Sequence, residues 1–173
     1  QLTRNDDYRT NIGFTNLAQT KLNVAVDVFT STGTYIGSKG YAIDPYSFFQ
    51  VTDILRKVGA TDIDDAYAVV RSQEVEAAYF TYASIIDNRT GDPIYVSPAE
   101  TATSAIYIPA AAHLSGANQT NWRTDLEVFN SGASQARFQI DLLERGQDNT
   151  NARNQIFLLG PGKSIRYEDV LYT

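Results

Sequence analysis

The residues able to do chemistry are few and poorly matched to one another. The chain has one histidine, His113, and no cysteine. A Ser-His-Asp hydrolase would have to use His113 as its base. His113 follows Ala110-Ala111-Ala112, and no serine lies in a Gly-x-Ser-x-Gly elbow. Transition-metal sites gather several His or Cys ligands, and one imidazole cannot build them. His113 therefore reads as a polar residue of a linking segment. Calcium needs only oxygen ligands. Two acidic loops offer them, Asp62-Ile63-Asp64-Asp65 and Asp87-Asn88-Arg89-Thr90-Gly91-Asp92. Neither has EF-hand spacing. Asp87, Asn88 and Asp92 form the calcium candidate, against a plainer reading in which Asp and Asn bond the backbone of their own turn. No other cofactor is implied. No pair of carboxylates stands out for glycoside hydrolysis, and the chain reads as non-enzymatic.

Aromatic residues offer binding rather than catalysis. Tyr35, Tyr41, Tyr46, Phe48 and Phe49 cluster in one stretch, and Tyr79, Phe80 and Tyr82 in another. Packing within sheets is the ordinary use of such residues. A row of exposed rings would instead make a platform for sugars, so carbohydrate is a candidate partner.

Repetition separates these roles. Tyr8-Arg9-Thr10-Asn11-Ile12 recurs as Trp122-Arg123-Thr124-Asp125-Leu126, and Asn16 as Asn130. The alternating run Val24 to Phe29 recurs as Phe138 to Leu143. Pro45 and Asp53-Ile54-Leu55 recur as Pro161 and Asp169-Val170-Leu171. Repeated polar residues suit a scaffold, so Arg9 with Asp53, and Arg123 with Asp169, are expected to form a bridge inside each copy. An arginine fork can satisfy several acceptors at once. Tyr41 and Phe49 are matched by Phe157 and Ile165, which marks core positions. Tyr46 and Phe48 are replaced by Gly162 and Ser164, so these two are the ligand-binding candidates.

The elements that must hold these residues are strands. Leu22, Val24, Val26 and Val28 alternate with Asn23, Ala25 and Asp27, the pattern of a half-buried antiparallel strand. Gly-, Asn- and Pro-containing turns break the chain at short intervals. Strands are expected near 9–16, 22–30, 34–43, 47–52, 66–72, 77–87 and 93–97, then near 123–130, 136–143, 154–159 and 163–168. One short helix is expected over 51–58, between Asp53 and Gly59. No helix–strand alternation points to a parallel α/β fold. The 173 residues divide into a first β-sandwich unit (1–98), a connector (99–121) and a second, incomplete unit (122–173). A net charge of −6 argues against nucleic acid, and no apolar run is long enough to span a bilayer. Asn88-Arg89-Thr90 and Asn118-Gln119-Thr120 fit the glycosylation acceptor pattern.

The segments Tyr8 to Gly13, Tyr82 to Pro93 and Asn121 to Leu126 resemble tandem immunoglobulin-like β-sandwich repeats of secreted and cell-surface bacterial proteins. The resemblance implies an extracellular or cell-surface location and a structural or adhesive role. It supplies no catalytic residues. In that pattern each repeat has a tail like residues 66–97, which the second copy lacks. The expectation is therefore an all-β, antiparallel, internally duplicated sandwich whose second copy is completed by something else. The candidates are face-to-face packing on the first copy, self-association into a head-to-tail filament by strand addition, or neighbouring repeats of a longer chain. Gln1 to Asp7 reads as a free polar arm, and Ser104 to Ala112 as the better donor strand. A carbohydrate-binding accessory module of a secreted hydrolase is the alternative function.

Overall fold

Alternation of apolar and polar residues becomes strands largely where it predicts them. The computed structural model describes residues 1–74, 77–99 and 105–172. Contacts divide it into two units, Gln1–Tyr107 and Ile108–Thr173. Residues 108–121, read above as connector, thus belong to the second unit. Residues 100–104, including Ser104 of the expected donor, lie outside the described residues.

The first unit contains β1 (Leu2–Arg4), β2 (Tyr8–Asn16), β3 (Leu22–Thr30), β4 (Tyr35–Ile43) and β5 (Phe48–Val51). Helix α1 (Ile54–Lys57), β6 (Ile63–Ser72), β7 (Tyr79–Asp87) and β8 (Pro93–Val96) follow. Two antiparallel four-stranded sheets result, ordered β1-β6-β3-β4 and β5-β2-β7-β8. The alternating faces meet between them. Phe14, Val26, Val28, Ile54 and Leu55 are fully buried, with Leu22, Val24 and Ile12 beside them. Each such side chain contributes about 1.5–3 kcal/mol by leaving water. β1 lies beside β6 rather than β2, which departs from the strand order of constant-type immunoglobulin domains.

Two local expectations are corrected. Residues 1–7 are not a free arm, because Leu2 is buried and β1 pairs with β6. The helix is shorter than 51–58, because Val51 still pairs with Ile12 as part of β5. Asp53, at φ 53°, then turns the chain and accepts a hydrogen bond from the Arg56 N–H, capping α1.

The second unit contains β9 (Leu114–Ser115), β10 (Asn121–Trp122), β11 (Leu126–Phe129), β12 (Ala136–Leu142), β13 (Arg153–Leu159) and β14 (Ser164–Tyr167). It repeats the registers of the first unit. Val24 faces Tyr41 as Phe138 faces Phe157, and Leu22 faces Ile43 as Ala136 faces Leu159. Phe14 faces Phe49 as Val128 faces Ile165. In the first unit β3 is flanked by both β4 and β6. Among the described residues β12 is paired with β13 alone.

Candidate functional site

The repeated polar residues are structural in both units, through a shared set of bonds. Asn16 donates from its amide to the carbonyls of Thr20 and Ile43, at 2.8 and 3.2 Å, and accepts from the Ala18 N–H. Asn130 donates to those of Ser134 and Leu159, at 2.8 and 2.9 Å, and accepts from the Gly132 N–H. Each buried amide closes a turn and ties it to the facing strand. Asp53 and Asp169 both adopt left-handed backbone, φ 53° and 50°. The Asp53 N–H donates to Asn11 Oδ1 at 3.1 Å, and the Asp169 N–H to Asp125 Oδ1 at 3.0 Å.

The expected arginine bridge holds in one unit and changes hands in the other. Arg123 Nε lies 3.1 Å from Asp169 Oδ2. In the first unit the partner of Asp53 is Arg4, also at 3.1 Å, whereas Arg9 donates to Asn88 Oδ1. The reason lies in β1. Thr10 Oγ1 donates to the Thr3 carbonyl and accepts from the Thr3 N–H, which brings the next residue, Arg4, over Asp53. Thr124 makes the same pair of bonds with Ala112. The residue after Ala112 is His113, and its Nδ1 lies 2.6 Å from Asp169 Oδ2. His113 thus occupies the place of Arg4 and stacks on Tyr172 at 5.1 Å. This hydrogen bond and ring stack tie the imidazole into the scaffold. Spacing hid the match: seven residues separate Thr3 from Thr10, but twelve separate Ala112 from Thr124, because β9 and β10 intervene.

The 87–92 loop closes on itself. Asp87 Oδ1 accepts from the N–H groups of Arg89 and Thr90, and these bonds hold its carboxyl below the usual aspartate range. Asn88 accepts from Arg9 and donates to the Asp6 carbonyl. Asp92 donates its N–H to Thr90 Oγ1. These bonds describe an Asx turn linked to the start of β2. In the other acidic stretch, Asp64 accepts from Asn5 and, through its carbonyl, from Thr3. Among the described residues no three His, Asp or Glu side chains gather as metal ligands.

The outer face of the β5-β2-β7-β8 sheet has a different character. Phe48, Tyr82, Phe80 and Tyr95 stand on it, drawn from β5, β7 and β8. Phe48, Phe80 and Tyr95 are 59%, 44% and 60% exposed. Tyr82 is the centre of the row. Its ring stacks with Phe48 (6.4 Å, 9° between planes), Phe80 (6.3 Å, 28°) and Tyr95 (5.9 Å, 25°). The facing residue on β2 is Gly13, and a Cβ there would come within 2.2 Å of the Tyr82 ring. The absent side chain is what lets Tyr82 lie across the sheet. Its hydroxyl donates to Gln50 Oε1 at 2.8 Å, fixing the ring. Phe48 is thus on the exposed row as its mismatch with Ser164 predicts. Phe49 points the other way, against Tyr41 at 5.7 Å. At 40% exposure it is not the core residue its match with Ile165 predicts, and Ile165 is itself 37% exposed; β5 is an edge strand. Tyr46 lies in the turn before β5, exposed and at φ 50°, where Gly162 at φ 64° stands in the second unit.

The chain defines an all-β, antiparallel protein of sandwich type. Among the described residues no helix is long and apolar enough to cross a membrane. No protein-family model matches the chain, and no curated protein matches it.

Proposed function

We propose that this protein is a non-enzymatic structural and adhesive module of an extracellular or cell-surface assembly, immunoglobulin-like in its design, and that it self-associates head to tail by strand addition. The observation that carries this reading is a difference in cover at matching positions. Val24, Val26 and Val28 are buried under the facing sheet, whereas their counterparts Phe138, Ile140 and Leu142 are only half-buried. Half-buried apolar side chains on a strand paired along one edge favour a further strand. A donor is at hand in Ile106-Tyr107-Ile108, which are 81%, 82% and 52% exposed. Addition of this segment to β12 of another copy is a heterologous contact, and repetition of it extends a filament.

Sedimentation velocity over a wide concentration range tests this. The expected result is mass growing with concentration, and short filaments in negative-stain micrographs. A Tyr107→Lys variant, altered at an exposed site, is expected to stay monomeric. A wild-type chain that remains a monomer at the highest concentration would sink the reading.

A further inference from the structure

We propose that the outer face of the β5-β2-β7-β8 sheet is a binding platform for a neutral polysaccharide of pyranose units, with sugar rings stacked on Phe48, Tyr82 and Tyr95. Single exposed apolar residues are ordinary on a protein surface, but a contiguous exposed patch marks an interaction site. Here the rings also share an orientation. Adjacent planes differ by 9° to 28°, so the rings of the row are near-parallel. Protein partners bind chiefly through anchors buried in pockets. A contiguous row of near-parallel, exposed rings suits a ligand with flat faces that carry C–H bonds. Those weakly positive C–H groups meet the negative π face of the ring.

Two further features narrow the ligand. The row is held in place before any ligand arrives, by the missing side chain at Gly13 and by the Tyr82–Gln50 hydrogen bond. Such preorganisation lowers the ordering cost of binding. Hydrogen-bonding groups lie among and beside the rings. Thr15 lies between Phe48 and Phe80 in the register, and Ser84 beside Tyr95. Gln50 adds amide N–H donors. Hydroxyl and amide groups around stacked rings suit sugar hydroxyls. A nucleic-acid strand also stacks on rings, but it needs a basic groove, and this chain carries a net charge of −6. The second unit has Ser164 where Phe48 stands, so the platform belongs to the first unit.

The test is affinity electrophoresis through gels containing soluble β-glucan, xylan or mannan, followed by calorimetry on the best ligand. At least one is expected to retard the wild-type chain. Phe48→Ser, which copies the second unit, and Tyr95→Ala are each expected to weaken binding about tenfold while leaving the circular dichroism unchanged. Tyr82→Phe keeps the ring and is expected to bind more tightly than either. Trp122→Ala, in the second unit, is expected to bind like wild type. Failure of all three polysaccharides to bind would overturn the proposal. So would full binding by a Phe48→Ser/Tyr95→Ala double variant. Loss of self-association, and not of sugar binding, in that double variant would overturn it too, because the face would then be a contact between protein copies.

Discussion

Val26 in the first unit and Ile140 in the second hold the same place in the same register, yet one is fully buried and the other half-buried. Around them the polar framework barely differs. Asn16 and Asn130 close equivalent turns, and Asp53 and Asp169 adopt the same left-handed backbone. Local hydrogen bonds therefore survive where cover is thin. A clamp needs only a turn four residues on and one carbonyl of the facing strand, Ile43 or Leu159, so a few point contacts complete it. The apolar face needs a facing sheet, because its stabilisation scales with area removed from water. The two units thus separate what shapes a β-unit from what stabilises it.

The largest effect is expected at the sealed core. Phe14→Ala should cost about 3–5 kcal/mol of the first unit's stability in denaturant titrations. Ile140→Ala should cost about 1 kcal/mol in dilute solution, well short of a fully buried isoleucine. A cost for Ile140→Ala that grows with protein concentration would show that self-association buries this face. The amide clamps come next. Asn16→Ala leaves the carbonyls of Thr20, Ile43 and Asp44 without their donor and is expected to cost about 3 kcal/mol. Asn130→Ala should cost about 2 kcal/mol, because the turn it closes is nearer solvent. Equal costs at the two sites would mean that the clamps, and not the cover, dominate both units.

The recurrence of Asn16 as Asn130 is legible in the sequence because half of each clamp is local; the bonds to Ile43 and Leu159 are not. Asn16 bonds Thr20 and Asn130 bonds Ser134 at the same short spacing, so the asparagines stay in step between copies. The match of Arg4 with His113 is not legible in this way. It depends on β1 and its counterpart being laid beside the Thr10 and Thr124 hydroxyls, across loops of unequal length. Arg9 recurs as Arg123, and that recurrence points to the wrong partner for Asp53. The aromatic row is half legible. The mismatch of Phe48 with Ser164 marks it as a surface residue. Its alignment with Tyr82 and Tyr95 needs the cross-strand register, and the seating of Tyr82 needs Gly13 on another strand.

A smaller effect is expected where the units differ in backbone chemistry. Tyr46 and Gly162 share positive φ, which a tyrosine adopts at a cost that glycine escapes. Tyr46 is exposed, so little packing offsets that strain. Tyr46→Gly is expected to stabilise the first unit by about 1 kcal/mol, and Gly162→Tyr to destabilise the second by about the same amount. Thermal melts of the two variants check this. A loss of stability in Tyr46→Gly would show that the tyrosine ring makes up its strain through contacts.

The subtlest difference is a single atom type. Asn11 accepts from the Asp53 N–H in the first unit, and Asp125 accepts from the Asp169 N–H in the second. An amide oxygen does not titrate, but a carboxylate does. The Arg166 guanidinium bonded to Asp125, with the Asp169 N–H, holds the Asp125 carboxyl below its ordinary value. A group with a depressed folded-state pKa contributes stability above its unfolded pKa of about 4 and loses it as pH falls through the folded value. Acidification below about pH 4 should therefore speed hydrogen exchange at the Asp169 amide more than at the Asp53 amide. Because Asp125 is well exposed, the effect is small at neutral pH. Asp125→Asn keeps the acceptor oxygen and removes the titration. In that variant the acid-induced loss at Asp169 should shrink toward the behaviour of Asp53. An unchanged acid response would assign the sensitivity to another group of the turn, and the chemical contrast between the two units would then lie elsewhere than in the residue that receives the turn's N–H.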